Sequence, residues 1–229
     1  DLTLAYHIVE KGLTMPEPRP GFGSAVVISL LNTIDLYHKN KFDENSIEFT
    51  QSVSVLKEYL DYHIKINFSL DYNINQRLQK LKELFPNVEG EKQIRISAEE
   101  FFKYIDSPFN IFSNSRYTVR NYTSQTIPIE VFDECIDMAQ KSPSFCNRQP
   151  TRVHIVKNNK IKDQILALQN GNRGFWHLAE TLLVITSLVS TTKDIHERFE
   201  NHLNGGMFCM SLFNALHYKK VASCALNWS

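Results

Sequence analysis

Few cysteines, no surplus of charge and no long apolar run remove several classes of protein from consideration before any motif is read. The four cysteines, Cys135, Cys146, Cys209 and Cys224, are far apart in the 229 residues and lack the close pairs that structural metal sites use, so no metal site is expected. They read as reduced, mostly buried thiols of a cytoplasmic protein. Lys and Arg number 25 against 25 Asp and Glu, and no basic run stands out, which argues against nucleic acid or an anionic membrane as the main partner. The longest apolar runs, such as 25–31, are far short of the roughly 20 residues that cross a bilayer, and no signal-peptide pattern is evident. A Gly-x-Gly-x-x-Gly fingerprint following a strand is also missing, so no dinucleotide fold is indicated. Gly21-Phe-Gly23 has neither a third glycine nor a preceding strand and reads as a plain turn. No triad and no defensible pair of acid–base carboxylates occurs, so no catalytic side chain is nominated.

What is present is an apolar fraction of 42%, enough for a sizeable core in one large or two small domains. Residues 1–105 read as mostly helical. Leu2, Ala5, Ile8, Val9 and Leu13 give a short helix ended by Pro16, Pro18 and Pro20, and residues 24–37 give a second, strongly apolar one. Across 44–68, Val53, Leu56, Leu60 and Ile64 recur at helical spacing, with Tyr59, Tyr62 and His63 expected at the margins. Ile74, Leu78, Leu81 and Phe85 predict one more helix, and Ser97-Ala-Glu-Glu100 is a capping box for a short helix through Tyr104. From Arg116 onward helices and strands alternate. Strands are expected over 152–157 and 182–188, the second suited to a sheet covered on both faces, with a helix over 161–168 between them. Residues 205–216 are apolar almost all round and predict a buried helix.

Function concentrates in the stretch Lys141-Ser-Pro-Ser-Phe-Cys-Asn-Arg-Gln-Pro150. Before it, Pro128 introduces an amphipathic run, 129–139, with Val131, Phe132, Cys135, Ile136 and Ala139 on one stripe. Pro143 ends that helix, and the alternating segment after Pro150 reads as a strand. In the loop between them, Ser144, Asn147 and Gln149 can reach the edge of a flat heteroaromatic ring, while Pro143 and Phe145 offer apolar surface to its face. An ordinary polar connection is the alternative. Cys146 could act as a nucleophile only with a base such as His154 or His177 beside it, which would make the protein a cysteine-dependent transferase.

A second segment lies upstream, Ser115-Arg-Tyr-Thr-Val-Arg-Asn-Tyr122. It resembles the opening signature of the FMN-dependent nitroreductase family, in which a Pro-Ser-x-x-Asn-x-Gln-Pro loop follows one helix later, as Pro143 to Pro150 does here. The resemblance covers about 113–229 and implies an α+β fold: a nitroreductase-like sheet flanked by helices in residues 106–229, with 221–226 as the strand after the apolar helix, preceded by the helical region 1–105. It also implies that the family's C-terminal segment, with a basic pair for the FMN phosphate, lies outside the chain. Glu10-Lys-Gly-Leu-Thr-Met15 and Arg19-Pro-Gly-Phe22 resemble extensions on some nitroreductase-like proteins of polysaccharide gene clusters.

The resemblance implies FMN as cofactor, hydride transfer from NAD(P)H through flavin N5 to an electron-poor nitro or quinone acceptor, and a homodimer with shared sites. Arg116 would meet the phosphate or the pyrimidine edge, helped by Tyr117 and Thr118, and Arg120 would sit near N1 and the C2 carbonyl. Asn172 would reach the pyrimidine edge or serve only a turn, and a backbone N–H of Leu226 or Asn227 would face N5. Pro143, Ser144, Phe145 and Asn147 would come from the partner subunit, while Asn204 stands where family members often carry Asp before the paired glycines. The alternative from another class is a non-catalytic dimeric binding or assembly protein that keeps the fold.

Overall fold

The computed structural model describes residues 1–90 and 92–228, which form two compact units, Asp1–Arg95 and Ile96–Ser229. The first unit is helical: α1 (Leu2–Leu13), α2 (Ser24–Lys39), α3 (Ile47–Lys65) and α4 (Tyr72–Leu84). Short polar side chains start three of them. Asp1, Ser46 and Asp71 accept from the free N–H groups of the first turns of α1, α3 and α4, which satisfies donors that a helix leaves open.

The core of this unit is built on α3, where Phe49, Val53, Leu56, Tyr59, Leu60 and His63 are all buried. Two expectations about this helix are corrected. Ile64, placed on the apolar stripe by spacing, is 56% exposed, whereas Tyr59 and His63, expected at the margin, are 0% and 1% exposed. The reason is the proline-rich turn after α1, which folds onto the face that Tyr59 and His63 share. The Tyr59 hydroxyl donates to the Phe22 carbonyl at 2.8 Å, the Tyr62 hydroxyl donates to the Pro18 carbonyl at 2.6 Å, and the Gly21 N–H donates to His63 Nε2 at 2.9 Å. Gly21 and Gly23 take positive φ there, so the plain-turn expectation for them holds.

Gly12 is explained by the same turn. A glycine within a helix costs about 1 kcal/mol relative to alanine, but a Cβ at this position would overlap the Phe22 ring. That ring lies edge-on to Tyr59, with centroids 5.1 Å apart, and cannot retreat. Gly12→Ala is therefore expected to destabilise the unit by about 1–3 kcal/mol despite its better helix propensity. Urea unfolding checks it, and an unchanged or raised midpoint would contradict this packing.

His63 Nδ1 is bonded to the Tyr59 carbonyl at 2.7 Å, where it must donate, so Nε2 can accept from Gly21 only while the ring is neutral. Burial lowers its pKa from the ordinary 6.5. With the folded-state value below the unfolded one, the unfolded chain binds the proton first. The stabilisation is complete above about pH 6.5 and is lost as pH falls toward the folded value. Denaturation series between neutral and mildly acid pH should show stability falling with pH, and a smaller fall in His63→Phe.

The second unit contains α5 (Ala98–Phe101), α6 (Phe109–Ser115), α7 (Ile129–Ala139), β1 (Thr151–Val156), α8 (Asn159–Leu168), β2 (Leu182–Ser187) and α9 (Glu200–Tyr218). The strands pair antiparallel from Thr151↔Ser187 to Val156↔Leu182. Phe132, Cys135 and Ala139 of α7 pack with Phe208, Leu212, Ala215 and Leu216 of α9, over Val153, Ile155, Leu183 and Ile185 of the sheet. This is the expected α+β class, helix-rich with a small sheet.

Three expectations in this unit are corrected. The segment 221–226 is not a strand, although the Val119 N–H donates to the Ser223 carbonyl at 3.1 Å. The capping box works, with Ser97 Oγ accepting from the Glu100 N–H, but α5 ends at Phe101 and continues as turns. Finally, α9 is not buried all round, because Leu203, Met207 and Met210 lie exposed on the side away from its core. Among the described residues no helix is long and apolar enough to cross a membrane.

Candidate functional site

The loop that follows α7 is fixed to α9 at its start and in its middle. Ser142 Oγ donates to Ser211 Oγ at 2.6 Å, and the Phe145 N–H donates to Oδ1 of buried Asn204 at 3.0 Å. Beyond this, Cys146, Asn147 and Gln149 all take positive φ, of 50°, 52° and 48°. Left-handed backbone at residues with a Cβ costs on the order of 1 kcal/mol or more each, so the surroundings must over-determine it. They do. Ser144 Oγ accepts from the Gln149 N–H, and Asn147 Oδ1 accepts from Gln149 Nε2, each at 2.9 Å. Arg148 meets Glu197 with two nitrogens, at 2.6 and 3.1 Å, and donates to the Thr191 carbonyl at 2.8 Å. The Arg148 bond, helped by the Lys193 N–H, pulls the Glu197 carboxyl down to about 2, so the pair stays ionised through any ordinary pH.

The result presents Pro143, Phe145, Cys146 and Asn147 at the surface, with Ser144 half-buried and Phe145 beside the Arg148 guanidinium at 5.4 Å. Cys146 is free and exposed. Neither proposed base is bonded to it among the described residues: His154 Nε2 pairs with Thr186 Oγ1 at 3.1 Å, and His177 packs edge-on against Trp176.

The basic segment lies elsewhere on α9. Ser115 ends α6 and Arg116 is already extended. Ser115 Oγ lies 2.9 Å from His217 Nε2, and the Arg116 guanidinium is 5.8 Å from the Phe213 ring. Phe213 and His217 are four residues apart, hence neighbours on one face of α9. Arg116 Nε is buried without a hydrogen-bond partner among the described residues. Tyr117 and Thr118 are exposed, and Arg120 places its guanidinium 5.9 Å from the Phe175 ring.

Asn172 and Asn227 are drawn to the same side through Gln169. The buried Asn172 amide donates to the carbonyls of Leu166 and Gln169, each at 2.7 Å, closing the end of α8 and leaving its Oδ1 for other work. Gln169 Nε2 donates to the Asn227 carbonyl at 2.7 Å. Leu226 is half-buried beside it. Asn172 and the 226–227 backbone thus belong to one group, which Arg120 joins through Phe175, while Arg116 lies on α9 beside Phe213, and Pro143 to Asn147 form another group.

Helical geometry separates Arg116 from the loop. At 3.6 residues per turn, Phe213 and His217 lie about 180° and 140° around α9 from Asn204, and roughly 15–20 Å along it. The core residues Phe208, Leu212 and Leu216 lie between them on one side, and exposed Leu203, Met207 and Met210 on the other. The residues that sequence reasoning missed are those that hold the loops: Arg148 with Glu197, Ser211 and His217. Asn204 was visible only as a departure from the family's Asp. As an acceptor for the Phe145 N–H it does what a carboxylate would do.

Residues 114–170 match the model of the nitroreductase family, and both loop motifs fall inside the matched segment. This segment of the second unit is thus similar to that family. Among solved structures, one from Desulfovibrio desulfuricans, described as a nitroreductase in complex with FMN, is 18% identical over 48% of this chain and 63% of its own, with a TM-score of 0.44. NfrA2 of B. megaterium is 17% identical over 47% and 49%, with a TM-score of 0.44. A nitroreductase family protein from Clostridium novyi NT is 16% identical over 52% and 71%, with a TM-score of 0.48. The chain thus spans less than two thirds of the first two. No curated protein matches it.

Asn204 gives a direct test of the loop's support. Asn204→Asp keeps the acceptor and should preserve the loop, whereas Asn204→Leu leaves the Phe145 N–H unmet, a loss of about 1–3 kcal/mol. Amide exchange at Phe145 to Arg148 should accelerate in the Leu variant alone. Equal protection in both would remove Asn204 from this role.

Proposed function

We propose that the protein is an FMN-dependent oxidoreductase of nitroreductase type, a homodimer that takes hydride from NAD(P)H and passes it to an electron-poor acceptor such as a nitro or quinone compound. The observation that carries this is the pairing of two family motifs, each with its own built support, on opposite faces of one helix. The donor set suits an anionic, ring-bearing ligand. Arg116 has a buried Nε with no partner among the described residues, which a phosphate or ring-edge oxygen would satisfy, and its guanidinium is a planar fork suited to either. The Desulfovibrio structure was solved in complex with FMN.

When bound, FMN supplies the two-electron chemistry at N5, and the chain's part is to bind and orient it. Arg116, Tyr117 and Thr118 hold the phosphate end, and Arg120 faces the N1 and C2 edge, where positive charge favours the reduced anion. Asn172 offers Oδ1 to the pyrimidine edge, and the N–H of Leu226 or Asn227 faces N5. Pro143, Ser144, Phe145 and Asn147 cover the ring from the partner subunit. The opposed anchoring on α9 supports that sharing, because a single chain holds the two segments on different faces. Exposed Leu203, Met207 and Met210 give the apolar face along which a second copy would lie. Gly205 and Gly206 also fit, since a Cβ at either would meet nothing within 4 Å in its own chain, leaving room for a close helix–helix approach.

Flavin released by denaturation should be FMN by mass, and recovery of FAD would overturn the cofactor assignment. Sharing is tested by complementation. Arg116→Ala and Asn147→Ala should each damage both sites of a homodimer, whereas a heterodimer of the two variants has one site with both defects and one with neither. Flavin should return to at most one site per heterodimer. Heterodimers that bind no more flavin than either parent would mean that the residues do not serve one flavin from two chains.

A further inference from the structure

His217 is an unusual residue to find inside this unit. It is 2% exposed and boxed by the rings of Phe101, Phe102 and Phe112, with centroids at 4.9, 5.6 and 5.3 Å. Its single hydrogen bond among the described residues is the one to Ser115 Oγ, at 2.9 Å. That hydroxyl has one proton, and it goes to the Phe112 carbonyl at 2.8 Å, which can only accept. His217 must therefore carry its proton on Nε2 and donate, leaving Nδ1 a bare acceptor, buried and without a partner among the described residues. A phenylalanine would fill this aromatic box without that cost, so the imidazole is there for its bond to Ser115.

Ser115 is the residue next to Arg116, and the two are held one helical turn apart on α9: Ser115 by His217, and Arg116 over Phe213 at 5.8 Å. We propose that His217 is a positioning residue for the phosphate end of the flavin site, locking Ser115 and hence Arg116 onto α9 while neutral and releasing them when protonated. This inference rests on FMN binding by Arg116.

The surroundings define the direction of the effect. From α5 and the residue after it His217 faces Phe101 and Phe102, from α6 Phe112 and Ser115, and from the following segment Arg116, the one charged group acting on it among the described residues. Burial first, and the Arg116 charge second, both disfavour the imidazolium and lower its pKa from 6.5. At neutral pH the clamp is closed. A proton added at Nδ1 leaves the Nε2–H bond to Ser115 in place but sets a second buried cation against the guanidinium in an apolar box, and displacement of the Ser115–Arg116 segment relieves both the burial and the repulsion.

The test uses the full chain stripped of flavin, with FMN affinity followed by flavin fluorescence from pH 8 to pH 5. Ser115→Ala and His217→Leu should bind FMN about tenfold more weakly at neutral pH, the equivalent of one net hydrogen bond. His217→Gln, whose amide can donate from the place of Nε2 but does not titrate, should stay within about twofold of wild type. Below about pH 6 wild type should weaken further than the Gln variant. The phosphate of FMN titrates near pH 6 in every variant, so the difference between the two profiles isolates His217.

Identical pH profiles for wild type and His217→Gln, or undiminished affinity in Ser115→Ala, would overturn the inference while leaving the flavin assignment intact. Failure of wild type to bind FMN at any pH would instead overturn that assignment. The clamp itself is then read without flavin. Amides of residues 113–120 should lose protection in Ser115→Ala, and in wild type but not His217→Gln at low pH. Unchanged protection in both comparisons would refute the clamp by itself.

Discussion

Partition of one helix into faces governs the C-terminal unit. Along α9, Phe208, Leu212, Ala215 and Leu216 turn inward to α7 and the sheet, and this burial fixes the rotation of the helix about its axis. Once the rotation is set, everything else follows by angle. Asn204 and Ser211 come to one flank and receive the loop after α7, while Phe213 and His217 come to the other and receive the basic segment after α6. Leu203, Met207 and Met210 are left outward. A slip of one residue in the helix would turn each of these positions by about 100° and break both supports together.

The two supports are built in different ways. The loop 143–150 is conformationally costly, with three left-handed residues, and is held by charge-assisted and backbone-directed bonds, the strongest being the two-pronged Arg148–Glu197 pair. The basic segment has ordinary backbone and is held by an uncharged imidazole and an aromatic face. Acid therefore acts on them differently. Glu197 remains ionised far below neutrality, whereas His217 is sensitive to a proton that its surroundings resist. In the N-terminal unit, His63 does for the Pro16–Phe22 turn what His217 does for Ser115: a buried neutral ring fixes a neighbouring segment by one directional bond.

Much of this could be seen in the residues alone. Helical spacing located α1 to α4, the Pro128 and Ser97 starts and the run of α7, because in each an apolar stripe meets a local start signal that does not depend on the rest of the chain. The strands of the sheet were located to within a residue or two for the same reason. Both loop motifs were legible because each is a short run of polar and basic residues at a characteristic separation, and the match over 114–170 encloses them.

What the sequence by itself determined, then, is the set of elements, the α+β class and the two motif segments inside the family match. Tertiary structure decided which faces those elements use. Tyr59 and His63 were assigned to a margin because polar-tipped rings usually snorkel, yet the turn at Pro18 to Phe22 supplied their partners and buried them. Residues 221–226 were expected as a strand from the family resemblance alone, but a strand is defined by its neighbour, and the segment pairs with neither β1 nor β2 among the described residues. Asn204, Ser211, Glu197 and His217 carry no local mark of their roles. Each acts through a partner 49 to 102 positions away in the chain, a distance over which no periodicity or spacing rule operates, and only folding brings the two ends of each bond together.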